Sequence, residues 1–218
     1  MEIELKLLIT RRLLHRVLVH RTVRRCGRGP SRSEALRSVY FDTPGFDLRR
    51  KGIALRLRRK GGGWVQTVKG GGSSALGLHR REEFEWKLPR EALDLGVLER
   101  TPYRKLFDAS LRRRLRPAFA TAFRRTAVDL AIGRRTRAEL ALDVGEIRAG
   151  RRREAIAEVE IELSRGEPRD LVTFARTLKG SLRFRIGNAS KAERGYALAD
   201  GGFVRASLRT QPRAKIVR

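Results

Sequence analysis

The chain has 218 residues, 40% of them hydrophobic, which suits one medium-sized folded domain and excludes a wholly disordered chain. Its net charge of +27 predicts attraction for polyanions such as nucleic acid, polyphosphate or anionic lipid, without selecting among them. A single cysteine excludes an intrachain disulfide framework. No apolar run approaches the ~20 residues that cross a bilayer, and the acidic start lacks the basic region of a signal peptide, so we expect a cytoplasmic protein outside the membrane.

The first predicted strand, residues 2–9, places three charges on one face. Glu2, Glu4 and Lys6 alternate with apolar residues, and alternate side chains of an extended strand point the same way. Carboxylates bind divalent cations and an ammonium binds phosphate oxygens, so this row suits a polyanion held through a metal. Taken alone, the alternation is more typical of an ordinary half-buried strand with a charged outer face.

The first half of the chain then predicts one helix and a series of strands. Leu13, Leu14, Val17 and Leu18 have helical spacing, which predicts an amphipathic helix from Thr10 to about residue 25. Further strands are predicted over residues 36–42, 46–50, 53–60, 64–69 and 79–88, with a glycine hairpin turn at 61–63 and a flexible Gly/Ser loop at 70–77.

The second half adds strands and two helices. Residues 90–115 contain helical spacing, and strands are predicted over 118–132, 136–144, 146–148 and 155–163, with a turn at Gly145. Helices are predicted over 168–178 and 190–198, the second capped by Ser190. The basic residues 205–218 predict a disordered tail. The tally is about eight antiparallel strands with helices inserted at three places, which is an α+β, mainly β class.

Charges on a shared strand face recur along the chain. Four more stretches carry them: Arg56 and Arg58; Arg81, Glu83 and Glu85; Glu158, Glu160 and Glu162; Arg183 and Arg185. An open sheet would solvate such faces, whereas a closed barrel would bring them inside. The recurrence therefore predicts a binding channel for an anionic, metal-bound ligand.

Several short segments resemble, in order, the motifs of one family. They are Glu2–Lys6 (ExExK), Tyr40–Pro44, Leu55–Arg58, Thr67–Lys69, Gly77–Glu83, Phe123–Arg125, Leu142–Glu146, Glu158–Glu162 and Ser190–Tyr196. Over residues 1–200 the chain is similar to the CYTH domains, or triphosphate tunnel metalloenzymes, and most of all to their bacterial inorganic triphosphatase branch. The resemblance implies an eight-stranded antiparallel tunnel-like barrel with flanking helices, forming one domain over 1–204, followed by the tail.

The resemblance also implies roles for individual residues. Glu2, Glu4 and Glu160 would bind Mg²⁺ or Mn²⁺, while Glu83, Asp143 and Glu158 would hold a second metal or the attacking water. Seven basic residues would bind the phosphate oxygens: Lys6, Arg56, Arg58, Lys69, Arg81, Arg125 and Lys191. Lys6 would also belong to the catalytic residues, together with Glu83, Asp143 and Glu158.

The implied activity is metal-dependent hydrolysis of inorganic triphosphate to diphosphate and phosphate. The alternatives are hydrolysis of thiamine triphosphate or a nucleoside triphosphate, adenylyl cyclisation, and non-catalytic binding of polyphosphate or RNA. Where the thiamine triphosphatases of animals have a tryptophan before the first paired arginine, this chain has Ala54, although Trp64 could stack from elsewhere. Nucleic acid is expected to bind only through non-specific charge, and both monomer and homodimer remain open.

Overall fold

Eight antiparallel strands close into a barrel in the computed structural model, which describes residues 1–75, 77–179 and 182–201. The strands are β1 Glu2–Ile9, β2 Gly27–Asp42, β3 Ala54–Lys60, β4 Gly63–Ala75, β5 Leu78–Leu88, β6 Arg116–Ile132, β7 Thr136–Ala149 and β8 Arg152–Arg165. Their order is β5-β4-β3-β2-β6-β7-β8-β1, and pairing of β1 with β5 closes the ring. A short ninth strand, β9 Phe184–Ile186, pairs with the second half of β1. The predicted tunnel-like barrel is confirmed.

In the part of the chain that the structure describes, six helices flank the barrel, two of them longer than six residues. They are α1 Leu14–Leu18, α2 Arg21–Cys26, α3 Asp47–Arg50, α4 Ala109–Arg114, α5 Pro168–Lys179 and α6 Lys191–Ala199, with 3₁₀ turns at Arg11–Leu13 and Val97–Arg100. Among the described residues, no helix is both long enough and apolar enough to cross a membrane.

The largest apolar core lies outside the barrel, between its strands and the helices α1, α2 and α5. Leu5 and Leu7 of β1 point into this core, together with Leu171 and Phe174 of α5. Because strand side chains alternate, the other face of β1, which carries Glu2, Glu4 and Lys6, must face the barrel interior. Burial of the apolar face therefore forces the charged face inward.

The helix α6 packs on the apolar part of the interior. Tyr196 and Leu198 contact a cluster that includes Phe119, Phe123 and Ile147. The predicted start of this helix is confirmed: Ser190 Oγ accepts a hydrogen bond from the Glu193 amide, and the Glu193 carboxylate accepts one from the Ser190 amide. This reciprocal cap fixes where the first turn of α6 sits.

Two predictions for the first half of the chain are wrong because local hydrogen bonding overrides the sequence pattern. The strand predicted over residues 46–50 is instead the helix α3, Asp47–Arg50, preceded by Phe46, since the Asp42 carboxylate accepts bonds from the amides of Thr43, Leu48 and Arg49 at 2.7, 2.9 and 3.0 Å. The helix predicted over residues 10–25 is divided, because His20 Nδ1 accepts the Thr22 amide and starts α2 anew.

Two predicted connections are in fact strand. Most of the proposed loop at 70–77 belongs to β4, which continues to Ala75 through an irregularity between Gly70 and Gly72; Leu76 lies outside the described residues. The turn proposed at Gly145 is absent, since β7 runs through it. A Cβ at Gly145 would lie 2.1 Å from the Ala122 carbonyl oxygen, so this glycine permits close strand approach.

The remaining predictions differ less. β2 begins at Gly27, well before residue 36, and residues 90–115 are mostly turns with only the short α4. Arg183 and Arg185 are exposed, so their pair does not line the interior. The predicted tail at 205–218 lies outside the described residues.

Candidate active site in the barrel interior

A cavity of about 670 Å³ occupies the barrel interior. All of the predicted site residues line it except Asp143 and Glu158, which are fully buried behind its wall. The lining members are Glu2, Glu4, Lys6, Arg56, Arg58, Lys69, Arg81, Glu83, Arg125, Glu160 and Lys191.

The charged residues at the cavity fall into two groups. We call the first group the deep cluster; it comprises Asp143, Glu158, Glu160, Lys6, Arg125, Lys191 and Arg194. Strand register brings its members together: Lys6 faces Glu160, and Asp143 faces both Arg125 and Glu158. The helix α6 adds Lys191, whose Nζ lies 2.6 Å from Asp143 and 2.9 Å from Glu160 and also contacts Glu158.

The deep cluster is a neutralised ion-pair network. Lys6 Nζ donates to Glu160 at 2.5 Å, and Arg125 donates to both oxygens of Asp143 at 2.8 and 2.7 Å. Burial alone would raise the pKa of Glu160, but Lys191, Lys6 and Arg125 outweigh it and hold that pKa well below its usual value. Burial opposes the charge of Lys6 too, yet Glu158 and Glu160 raise its pKa. These groups stay ionised across the physiological range.

A second group, the acidic wall, comprises Glu2, Glu4, Glu83, Glu85 and Glu162. Its contacts with cations are fewer: Lys69 Nζ lies 2.6 and 2.7 Å from the two oxygens of Glu2 and 3.1 Å from Glu83. Lys6 of the deep cluster lies 3.7 Å from Glu4. Arg56 lies 3.2 Å from Glu85 and 3.6 Å from Glu83.

Three carboxylates of the acidic wall have a raised pKa, whereas burial of Glu85 is outweighed by Arg56 and a hydrogen bond from Thr67, which lower its pKa. Burial, followed by the charges of Glu2, Glu4 and Glu83, raises the pKa of Glu162 to about 7. The pKa of Glu4 is raised by burial and by Glu160, and that of Glu83 by burial and by Glu2. Within the described part of the chain, the Glu162 carboxylate has neither a side-chain hydrogen bond nor an ion pair. The wall therefore carries negative charge that the protein does not neutralise.

Among the described residues, one group of three acids has its oxygens close enough together to hold a metal ion, and its charge balance differs from that of the acidic wall. Asp143, Glu158 and Glu160 each place one carboxylate oxygen within 4.8 Å of the others. The four cations of the deep cluster already neutralise these three acids, so a divalent ion would face uncompensated positive charge there. The surplus of carboxylates lies instead at Glu2, Glu4 and Glu162, whose oxygens suit Mg²⁺ or Mn²⁺.

Arg58 is a positive charge that lacks a negative partner. Its Nε donates to Ser38 Oγ at 3.0 Å, and no carboxylate in residues 1–75, 77–179 and 182–201 forms an ion pair with it. Burial and the neighbouring Arg56 lower its pKa to about 10, so the guanidinium still remains charged near neutrality. A charged group facing a cavity without a counter-ion marks a place for an anion.

The structure groups the acids differently from the sequence-based interpretation. Glu83 lies at the acidic wall, apart from Asp143 and Glu158, with which it was grouped. Three residues to which the interpretation gave no role are Glu85, Glu162 and Arg194. Strand alternation had placed Glu85 and Glu162 on the inward faces beside their neighbours, but without a function for either. Arg194, which donates to Glu154 and Glu158 at 2.6 and 3.0 Å, carried no such signal.

Comparison with known proteins gives a consistent picture. The family model described as CYTH domain matches residues 1–196. An inorganic triphosphatase from Haemophilus influenzae is 33% identical over 174 residues, covering 78% of this chain; the chain spans only about half of that relative, 47% of its length.

Two solved structures share the fold at low sequence identity. A Hippeastrum protein described as an adenylyl cyclase candidate with dominant triphosphatase activity is 20% identical, with a TM-score of 0.63, over 94% of this chain and 98% of its own. A Bacillus halodurans protein described as an adenylate cyclase candidate is 21% identical, with a TM-score of 0.56, over 89% of this chain and 96% of its own.

Proposed function

The chain belongs to the CYTH domain family, and from that premise we propose that it hydrolyses inorganic triphosphate to diphosphate and phosphate with a divalent metal. One observation carries the proposal: the same cavity contains a surplus of carboxylates at the acidic wall, where Glu162 has no ion pair among the described residues, and the Arg58 guanidinium, which has none there either. A metal–triphosphate complex would neutralise both. The inorganic triphosphatase of Haemophilus influenzae gives the same indication.

Glu2, Glu4 and Glu162 are the residues that would hold Mg²⁺ or Mn²⁺. The metal, when bound, supplies neutralisation of phosphate charge and a more acidic water. Glu160, assigned to the metal by the sequence, is already bound by three cations and would serve mainly to position them.

The basic residues of the cavity would bind the phosphate chain. Arg58 is the principal one, because it gives up no ion pair to do so; Arg56, Arg81, Lys69, Lys6, Arg125 and Lys191 assist. Asp143 and Glu158 would act by fixing Lys6, Arg125 and Lys191, since they are buried behind the wall. Preorganised cations of this kind stabilise the charge that spreads over the phosphoryl oxygens in the transition state.

Glu83 is the group we assign to accept a proton from the attacking water. It lines the cavity, and burial, followed by the charge of Glu2, raises its pKa above the usual glutamate value, which makes the carboxylate a better proton acceptor.

The lining favours an inorganic substrate over thiamine triphosphate or a nucleotide. Trp64 is not part of the lining, so it offers no stacking surface there. The lining aromatic residues Tyr40 and Tyr196 both pack on Phe119, with ring centroids 4.4 and 5.0 Å apart. Simple binding of polyphosphate or RNA does not explain the acidic wall, because carboxylates without metal would repel a polyanion.

The test is phosphate release from tripolyphosphate, thiamine triphosphate and ATP, each with Mg²⁺, Mn²⁺ or EDTA. We expect fastest release from tripolyphosphate and none in EDTA. Preference for either organic substrate, cyclic AMP formation from ATP, or binding without release under every metal condition would contradict the assignment and support the corresponding alternative.

A further inference from the structure

Lys69 occupies the acidic wall as a cation would. Its ammonium contacts both oxygens of Glu2, at 2.6 and 2.7 Å, and one oxygen of Glu83 at 3.1 Å. Glu2 is one of the carboxylates that suit a divalent ion, so the lysine uses oxygens that a metal would also use. Lys6 differs, because it lies in the neutralised deep cluster and is only 1% exposed.

We propose that Lys69 is a tethered counter-ion that competes with the divalent metal for Glu2. In the metal-free protein it holds Glu2 and Glu83 together; metal binding at Glu2 releases its ammonium, which then becomes available to the triphosphate. This inference deepens the proposed function and rests on it for the identity of the anion, but competition for Glu2 depends only on the metal.

The surroundings of Lys69 permit that release. Its side chain is 22% exposed to the cavity, so it is not locked in the core. Its cross-strand neighbours are Glu83 on β5 and the small Ala54 on β3, and Gly70 follows it in β4. A long flexible side chain with small residues such as Ala54 and Gly70 beside it has room to change rotamer.

The exchange couples two binding events. If the ammonium must leave Glu2 for the metal to bind, removing the ammonium must tighten metal binding, because the metal no longer displaces a competitor. A metal site that Lys69 merely supports would respond in the opposite direction, since loss of the lysine would let Glu2 and Glu83 separate.

The experiment measures Mn²⁺ affinity without any triphosphate, by titration calorimetry and by the electron paramagnetic resonance signal of free Mn²⁺. We expect Lys69→Met to bind Mn²⁺ about tenfold more tightly than the wild-type chain, in the range typical of coupling between sites. Lys69→Arg, which keeps a cation beside Glu2, should stay within about twofold of wild type.

Lys60→Met is the matched control. Lys60 lines the same cavity but has no ion pair within the described residues, so its loss removes the same charge without freeing Glu2. We expect about a twofold change at most, the size of weak, screened electrostatics. Equal tightening in both methionine variants, or weaker binding by Lys69→Met, would overturn the proposal. Absence of triphosphate hydrolysis together with the tightening would overturn only the proposed function.

Discussion

Arg58 is a cation that the fold encloses beside a cavity, and no carboxylate of the described residues forms an ion pair with it. Such a group destabilises the free protein and is useful only when an anion binds. Replacing it should therefore affect activity and stability in opposite directions.

We predict that Arg58→Met lowers kcat/KM for triphosphate by roughly 10²–10³, the loss expected for one preorganised donor. The midpoint of thermal unfolding should be unchanged or higher. Steady-state kinetics and calorimetry check this, with the exposed neighbour Arg59→Met as control. Near-wild-type turnover of Arg58→Met would refute the phosphate-binding role.

Because the Glu162 carboxylate has no cation partner among the described residues, its ionisation should make the stability of the folded chain depend on pH. Its folded-state pKa of about 7 lies above the usual value for glutamate, so the folded chain holds this proton more tightly than the unfolded chain. As the pH rises from about 4.5 to above 7, the ionised carboxylate destabilises the folded state increasingly.

In EDTA, therefore, Glu162→Gln should be more stable than wild type at pH 8, by about 1–2 kcal/mol after allowance for solvent screening. The difference in free energy of unfolding should shrink as the pH falls towards 5, and added Mg²⁺ should stabilise the wild-type chain more than the variant. Urea unfolding measures it, with the exposed Glu91→Gln as control. A difference independent of pH would count against the assignment.

At the scale of elements, α6 determines where Lys191 sits in the deep cluster. A Cβ at Gly195 of this helix would lie 2.1 Å from the Phe119 ring, so glycine is required for the helix to pack against β6. Helix displacement would move Lys191 away from Asp143 and Glu160.

Gly195→Ala should thus destabilise the protein by about 1–3 kcal/mol, as overpacking does. It should also lower kcat, although Gly195 itself is not a lining residue. Ala199→Ser adds one atom at the last position of α6, where the side chain is only partly buried, and should behave as wild type. Full activity and stability of Gly195→Ala would show that α6 tolerates displacement.

For the whole molecule, the net charge of +27 dominates the long-range electrostatics. Exposed arginines repel one another at low ionic strength, and salt screens that repulsion, whereas the buried ion pairs of the deep cluster are screened much less.

We predict that the midpoint of thermal unfolding in EDTA rises when NaCl increases from 20 to 200 mM. Tripolyphosphate at matched ionic strength should raise it further in wild type, and less in Arg58→Met, because binding to the folded state adds to screening. A midpoint that falls with salt would mean that surface attraction, and not repulsion, prevails.

The inward charges of the barrel could be predicted from the sequence because they depend on strand parity. Glu2, Glu4 and Lys6 alternate with residues that the outer core buries, so one face had to turn inward. Local signals likewise predicted β1 and the cap at Ser190. The same alternation also predicted that Glu85 and Glu162 face inward. Alternation along a strand does not indicate which of these carboxylates form ion pairs.

Only the tertiary structure decided the division into a neutralised deep cluster and an unneutralised acidic wall. Lys191 reaches Asp143 from a helix 48 positions further along the chain, and Lys69 meets Glu2 across 67 positions. Ion pairing depends on distances of a few ångströms between such distant segments. What the sequence alone determined was therefore the kind of charges inside the barrel; their pairing, and with it the difference between a metal site and a structural ion-pair network, required the closed fold.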